Sequence, residues 1–167
     1  MIRQHANILR REQCIPASLP TVFSFFSDAR NLDRITPRWL HFKIMGQSSP
    51  ELGTGTLIHY KLAWHRIPMG WTSRIEEWCP PTLFVDLQVH GPYRLWHHTH
   101  RFQSYRGGTL ISDTVQYEVP LGALGRFFAG GLVRRDVERI FDFRAKQISE
   151  AFNKPSVVPI RSGYGYR

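Results

Sequence analysis

Between Leu40 and Pro120 the apolar residues recur at every second position, and beyond Pro120 they recur at every third or fourth. Strands show their two faces with a period of two and helices with a period of 3.6, so this single switch prescribes a sheet followed by a helix. Leu40-His41-Phe42-Lys43-Ile44 alternates, as does Thr56-Leu57-Ile58-His59-Tyr60-Lys61-Leu62. Further strands are expected over Trp71–Trp78, Leu83–Val89, Tyr93–Phe102 and Leu110–Val119. The breaks between them are turn-forming: Ser48-Ser49-Pro50, Cys79-Pro80-Pro81, Gly91-Pro92 and Arg106-Gly107-Gly108. Connections this short imply an antiparallel meander, because parallel neighbours need a crossover of a dozen or more residues.

The flanks complete the outline. His5 to Ile15 reads as a strand. Ser18 can cap a short helix, with Pro20 at an early position and Val22, Phe23, Phe25 and Phe26 as its apolar stripe, ending near Asp28. A second short helix from about Ala29 to Ile35 is stopped by Thr36-Pro37, since a residue before proline avoids helical geometry. Val133, Val137, Ile140, Phe141, Ile148 and Phe152 form the stripe of a long C-terminal helix. Gly130-Gly131 is expected to start or kink it, setting apart a short turn at Leu124–Ala129. The expectation is an α+β domain over residues 1–154, with a curved antiparallel sheet of about seven strands, two short helices and the long helix as cover. Residues 155–167 read as an irregular basic tail. A hollow between helix and curved sheet is the preferred place for a small molecule.

Composition narrows the function classes. With 167 residues, 42% hydrophobic and 21% charged, the chain can close a core of its own. No apolar run reaches the length of a spanning helix, and Met1 to Pro16 has no apolar leader core. Cys14 and Cys79 are too few and too distant for a disulfide framework or a zinc pattern, which favours a cytoplasmic protein. The net charge of +9 comes from arginines scattered over Arg3, Arg10, Arg11, Arg134, Arg135, Arg139, Arg161 and Arg167. Their dispersal argues against nucleic acid and leaves a solvated surface or peripheral contact with an anionic membrane. Gly53-Thr54-Gly55 and Gly122–Gly125 lack the spacing that cradles phosphates, and no G-x-S-x-G elbow occurs. No cofactor is expected.

The layout resembles the START-like (SRPBCC, or helix-grip) superfamily, which includes polyketide cyclases, Bet v 1-like proteins and lipid-transfer domains. The resemblance covers about Gln4 to Phe152 and is similar to a bacterial ligand-binding branch. It rests on Asn31-Leu32-Asp33-Arg34-Ile35-Thr36-Pro37, Phe84-Val85-Asp86-Leu87-Gln88 and Gly91-Pro92-Tyr93-Arg94-Leu95-Trp96. His98-Thr99-His100-Arg101-Phe102, Asp113-Thr114-Val115-Gln116-Tyr117 and Ile140-Phe141-Asp142-Phe143-Arg144 complete it. The superfamily holds carriers, sensors, cyclases and hydrolases, so the fold does not choose among them.

Polar residues stand where the covered face of the sheet should be. Residues of equal parity share a face, which groups Phe84, Asp86 and Gln88, then Trp96, His98, His100 and Phe102, then Asp113, Val115 and Tyr117, then Arg74, Glu76 and Trp78. The opposite parity of Val85, Leu87 and Val89 competes, but the first choice buries the bulkier aromatics. Folding the strands at their turns sets Asp86 against His98, Gln88 against Trp96, Arg74 against Asp86, Glu76 against Phe84 and His100 against Asp113. Such a seam either orients the polar end of an apolar ligand, or performs acid–base chemistry through His98 or His100, or is a satisfied network that pins the sheet. The candidate ligand-binding set is Arg74, Asp86, Gln88, Trp96, His98, His100, Phe102, Asp113, Tyr117 and Phe141. Phe23, Phe26 and Ile140 extend its apolar wall, and the mouth is expected at Gly91–Arg94 and Leu121–Phe128. Trp39, Trp64, Trp71 and Trp96 are candidates to stack on a flat ligand, Trp96 first. His98 and His100 with Glu76 or Asp113 invite a metal reading, but with no second histidine cluster none is assigned. The expected function is binding or carriage of a hydrophobic or amphipathic small molecule. A polyketide cyclase or dehydratase and a non-catalytic interaction module are the alternatives.

Overall fold

In the computed structural model, residues 6–120 and 122–153 are described, the side chains of 122–129 excepted. Seven strands follow the alternating segments: β1 (Asn7–Ile15), β2 (Lys43–Gln47), β3 (Leu57–Trp64), β4 (Ile67–Cys79), β5 (Leu83–His90), β6 (Leu95–Tyr105) and β7 (Gly108–Glu118). They form one antiparallel sheet in the order β1-β7-β6-β5-β4-β3-β2, so the N-terminal strand closes the meander beside its last member. Three helices accompany it: α1 (Leu19–Phe26), α2 (Asn31–Arg34) and α3 (Gly122–Asn153). The Ser18 hydroxyl accepts from the Thr21 amide at 3.4 Å, capping α1 as its position predicts.

Three boundaries differ from expectation. Arg38–Leu40 forms a 3₁₀ turn with His41 in the left-handed region, which delays β2 to Lys43. The second helix shortens to a single turn because Asp28 and Arg30 bind one another and the backbone ahead of it. The long helix passes through Gly130-Gly131 without a break, since two glycines lower helix propensity by only about 1 kcal/mol each. The tail at 155–167, Arg3, Arg161, Arg167 and the mouth residue Leu121 lie outside the described residues, as do the side chains of 122–128.

Helix α3 lies across the sheet, and Val133, Val137, Phe141 and Ile148 are buried beneath it. Val137 and Phe141 pack with Leu9, Val115 and Tyr117, while Ile148 joins Phe23, Phe26, Phe84 and Phe102 in a second cluster under α1. Polar contacts tie the helix to the sheet edge: Gln13 Nε2 donates to the Ala145 carbonyl at 2.8 Å and meets Ser149 Oγ at 2.7 Å. Register shifts leave Met45 of β2, Glu76 of β4 and Val89 of β5 without a partner across the ladder, marking bulges that bend those strands. The bend lifts the sheet away from the helix and leaves room between them.

One hairpin has a steric requirement. At Arg106-Gly107 both residues take positive φ, as a two-residue turn of this hand demands. The chain then enters β7 at Gly108, where an added Cβ would stand 2.3 Å from the Ile15 carbonyl oxygen. A backbone atom cannot yield as a flexible side chain can. Gly108→Ala is therefore expected to destabilise the fold by roughly 1–3 kcal/mol, read from the urea unfolding midpoint, while Gly131→Ala on α3 meets nothing and is expected to stabilise slightly.

Candidate functional site

Strand parity places Asp86 of β5, His98 and His100 of β6 and Asp113 of β7 on the concave face. Asp86 stands opposite His98 and His100 opposite Asp113, as the turn positions predict. His98 is 3% exposed, His100 4% and Asp113 8%. The four side chains close a ring. His98 Nε2 bonds Asp113 Oδ1 at 3.0 Å and His98 Nδ1 lies 3.5 Å from Asp86 Oδ2. His100 Nε2 bonds Asp86 Oδ2 at 3.2 Å, and its Nδ1 lies 2.7 Å from Asp113 Oδ1 without hydrogen-bond alignment. Each imidazole thus spans both carboxylates, with ring centroids 3.7 Å apart.

Two buried imidazoliums that close would repel strongly, which drives the proton affinities of the two rings apart. Burial and the charge of His100 push His98 down to about 4, against the pull of Asp113 and Asp86. At His100 burial also disfavours the charge, but the two carboxylates outweigh it and raise its value. Asp113 and Asp86 both stay ionised: burial would raise them, and His100 and His98 overcome it. The cluster thus keeps both carboxylates ionised, disfavours a proton on His98 and favours one on His100.

The cluster sits at one wall of a hollow of about 480 Å³ between sheet and helix. Asp86, His98 and His100 face it together with Tyr60, Ser73 and Arg144. Ile58, Leu62, Trp71, Trp96 and Ile140 supply apolar wall, and the exposed Ile67 lies at its rim. Arg144, from α3, packs over the Phe141 ring at 5.0 Å, and its buried Nε has no hydrogen-bond partner among the described residues. The hairpin tip between β3 and β4 reaches the helix: Trp64 Nε1 donates to Asp136 Oδ2 at 2.9 Å and His65 Nε2 meets the same oxygen at 2.8 Å.

Several of the residues singled out from the sequence stand elsewhere, for reasons of register and packing. Arg74 is exposed on the outer face and pairs with Leu87, not Asp86. The β4–β5 turn closes on Cys79 and Leu83, and the bulge after Ile75 turns Ser73 and Ile75 inward in its place; Phe84 consequently faces Trp78 rather than Glu76. Glu76 is likewise exposed, 3.6 Å from the outward-facing His97. Gln88 spends its amide on the β5–β6 turn, donating to the Tyr93 carbonyl at 2.7 Å and accepting from the Tyr93 amide at 3.3 Å. Phe102, Tyr117 and Phe141 are buried in the core beside the hollow, not on its wall. Asp113 stands behind both histidines. Trp39 lies under the Arg139 guanidinium, away from the hollow, while Trp64, Trp71 and Trp96 line it. Arg144, Tyr60 and Ser73 join the site without being among the residues the sequence points to. Tyr60 and Ser73 alternate inward on their strands, a signal that strand parity carries. Arg144 follows the apolar helical stripe one turn beyond Ile140, but a basic residue there reads as surface.

A family model described as "Polyketide cyclase / dehydrase and lipid transport" matches residues 15–142. No curated protein matches the sequence. Among solved structures, protein CV1439 from Chromobacterium violaceum is similar with a TM-score of 0.69 and 14% identity, over 89% of this chain and 99% of that one. The Zhui aromatase/cyclase from Streptomyces sp. R1128 gives 0.68 and 15%, over 88% and 93%. Ginseng major latex-like protein 151 from Panax ginseng gives 0.66 and 10%, over 89% and 99%. Identities this low establish a shared fold.

Two outcomes follow from the cluster. In chelator-treated protein, His98 takes its proton at about pH 4 when folded but near 6.5 when unfolded, so stability falls as pH drops between those values, by up to about 1.4 kcal/mol per unit. His100 acts with the opposite sign: its contribution is complete below pH 6.5 and is lost as pH rises through its raised folded value. Urea unfolding across pH is expected to show a maximum near 6.5, with the acid limb flattened in His98→Asn. His100→Gln removes the ring that faces both carboxylates and is expected to cost about 3–5 kcal/mol, part of it regained when Asp113→Asn is added.

Proposed function

The chain belongs to the polyketide cyclase/dehydrase and lipid transport family, and on that premise we propose that it binds a hydrophobic or amphipathic small molecule in the hollow between sheet and α3. The observation that carries this reading is the contrast within the hollow's lining. Its walls are Ile58, Leu62, Trp71, Trp96 and Ile140, and its polar groups gather at Asp86, His98, His100 and Arg144. Apolar surface taken out of water stabilises a guest by roughly 25 cal/mol per Å², which gives affinity but little orientation. Orientation comes from the polar end. The unpartnered Arg144 Nε donates to an acceptor on the guest, and the neutral His98 ring offers a second polar contact. Arg144 also favours a guest with an acidic or enolic oxygen, because a charge-assisted bond is stronger than a neutral one. Trp71 and Trp96 meet edge to face at 5.3 Å and present an aromatic wall that suits a flat ring.

A second reading is favoured by the unequal histidines. His98, whose proton affinity is lowered, lies beside His100, whose proton affinity is raised, so the wall of the hollow offers a base and an acid within one contact distance. That is the equipment for enolisation and loss of water from a polyketone, and one protein of similar fold is the Zhui aromatase/cyclase. Turnover of a poly-β-ketone thioester that disappears in His98→Ala while binding persists supports this reading, and a substrate bound but never converted removes it.

The binding reading is tested with 8-anilinonaphthalene-1-sulfonate, an anionic aromatic probe. The wild-type chain is expected to bind one equivalent with a blue-shifted emission. Arg144→Met is expected to weaken that binding about tenfold or more, and Ile140→Trp, which intrudes on the hollow beside Trp96, to weaken it as well. A probe that binds all three alike is not in this cavity, and the reading then fails.

A further inference from the structure

The same four residues have a property that neither ligand orientation nor proton transfer requires. Three donor atoms, Asp86 Oδ2, His98 Nδ1 and His100 Nε2, converge on one point beside the hollow. The carboxylate oxygen lies 3.5 Å from the first nitrogen and 3.2 Å from the second, and one donor from each residue falls within 4.8 Å of the others. An ion bound at about 2.0–2.2 Å from each ligand requires donor separations of roughly 3.0–3.5 Å, depending on tetrahedral or octahedral geometry. Both carboxylate–nitrogen separations therefore fall within the range a metal site requires, and the two ring nitrogens lie within 4.8 Å of one another.

Asp113 supplies the support such a site needs. Its Oδ1 lies 3.0 Å from His98 Nε2 and 2.7 Å from His100 Nδ1, so it faces the far nitrogen of both rings. A carboxylate behind a ligating histidine holds the ring orientation and raises its donor strength. The existing contact to His100 is short but misaligned, and a small ring rotation completes it as an N–H···O bond. Charge points the same way. Two carboxylates are sunk among apolar residues, and a divalent ion matches their charge. All three donor residues also line the hollow, so the remaining coordination positions open toward whatever the hollow contains.

We propose that Asp86, His98 and His100 bind a first-row divalent transition-metal ion, with Asp113 as the positioning residue behind them. Two imidazoles and one carboxylate suit zinc, iron(II), cobalt or nickel better than calcium or magnesium, which take oxygen ligands. Cys14 and Cys79 are both exposed and take no part. The sequence alone assigns no metal, because no second histidine cluster supports one, and the third ligand it offers is Glu76 or Asp113. The register puts Glu76 on the outer face and Asp113 behind the rings, and makes Asp86 the third donor. Three protein ligands with an open side describe a site where an ion polarises a carbonyl or activates water, rather than one that only holds the fold.

The test uses the full chain without a histidine tag, stripped with chelator and titrated with Co(II) and then Zn(II). The expected result is one equivalent of Co(II) with visible d–d absorption and no thiolate charge-transfer band, displaced by Zn(II). Asp113→Asn is expected to weaken binding about 10–100-fold and Asp86→Asn to weaken it further. Should a variant lose its far-UV circular dichroism, the wild type still decides. Bound Co(II) must shift and broaden the ring resonances of His98 and His100 more than those of the exposed His59 and His90. No uptake at millimolar ion, or an ion that leaves the two buried rings unperturbed or survives Asp86→Asn in a folded variant, overturns the site. No organic ligand enters the measurement, so its outcome is independent of the binding proposal above.

Discussion

Two carboxylates and two imidazoles buried on one wall of the interior are the constraint around which this molecule is arranged. Charges taken from water are tolerated only when paired, and here the pairing is mutual. Asp86 and Asp113 lie on strands either side of β6, and the two histidines between them touch both. The arrangement holds only if β5, β6 and β7 keep their register, because a slip of one residue sends every member to the outer face. Sheet geometry and site chemistry are thus one requirement. The Gln88 bonds at the β5–β6 turn and the tight approach at Gly108 are local devices that hold that register.

The hollow arises from the same geometry. Bulges in β2, β4 and β5 bend the sheet, and α3 bridges it like a lid on a trough. Aromatic side chains fill one end under α1, where Phe23 and Phe26 meet their neighbours edge-on and Phe84 stacks on Phe102. The other end is walled by tryptophans and stays open. The four-membered cluster lies where these ends meet, with Phe84 stacked on His100 at 4.1 Å on one side and Arg144 facing it from the helix. Dry packing against one flank strengthens the electrostatics of the cluster, and the open flank gives those electrostatics something to act upon.

The hairpin tip adds a tie between sheet and helix. His65 and Arg66 both hold positive φ without being glycine, a conformation that costs of order 1–3 kcal/mol each and persists only when neighbours enforce it. Here the enforcement is visible. Trp64 and His65 both bind Asp136, itself 2% exposed, on the inner side of α3.

Much of this was legible in the residues alone. Period-two alternation from Leu40 to Pro120 and the helical stripe from Val133 to Phe152 suffice for the α+β architecture, because each period is a direct consequence of backbone geometry. Parity within a single strand also suffices to bring Trp96, His98 and His100 to one face. Pairing across strands was readable where a turn has one evident centre, as at Gly91-Pro92 and Arg106-Gly107. It failed where the backbone departs from a plain ladder. The turn after Cys79 is longer than its prolines suggest and β4 carries a bulge, so Arg74 left the seam and Ser73 entered it. The hairpin at His65-Arg66 has no turn-forming residue to announce it. Arg144 is a single cation on a helix face, and only the placement of α3 over the hollow makes it a lining residue. Local periodicity acts through neighbouring residues, whereas a bulge, a helix's seat and the convergence of four side chains depend on contacts between segments tens of residues apart.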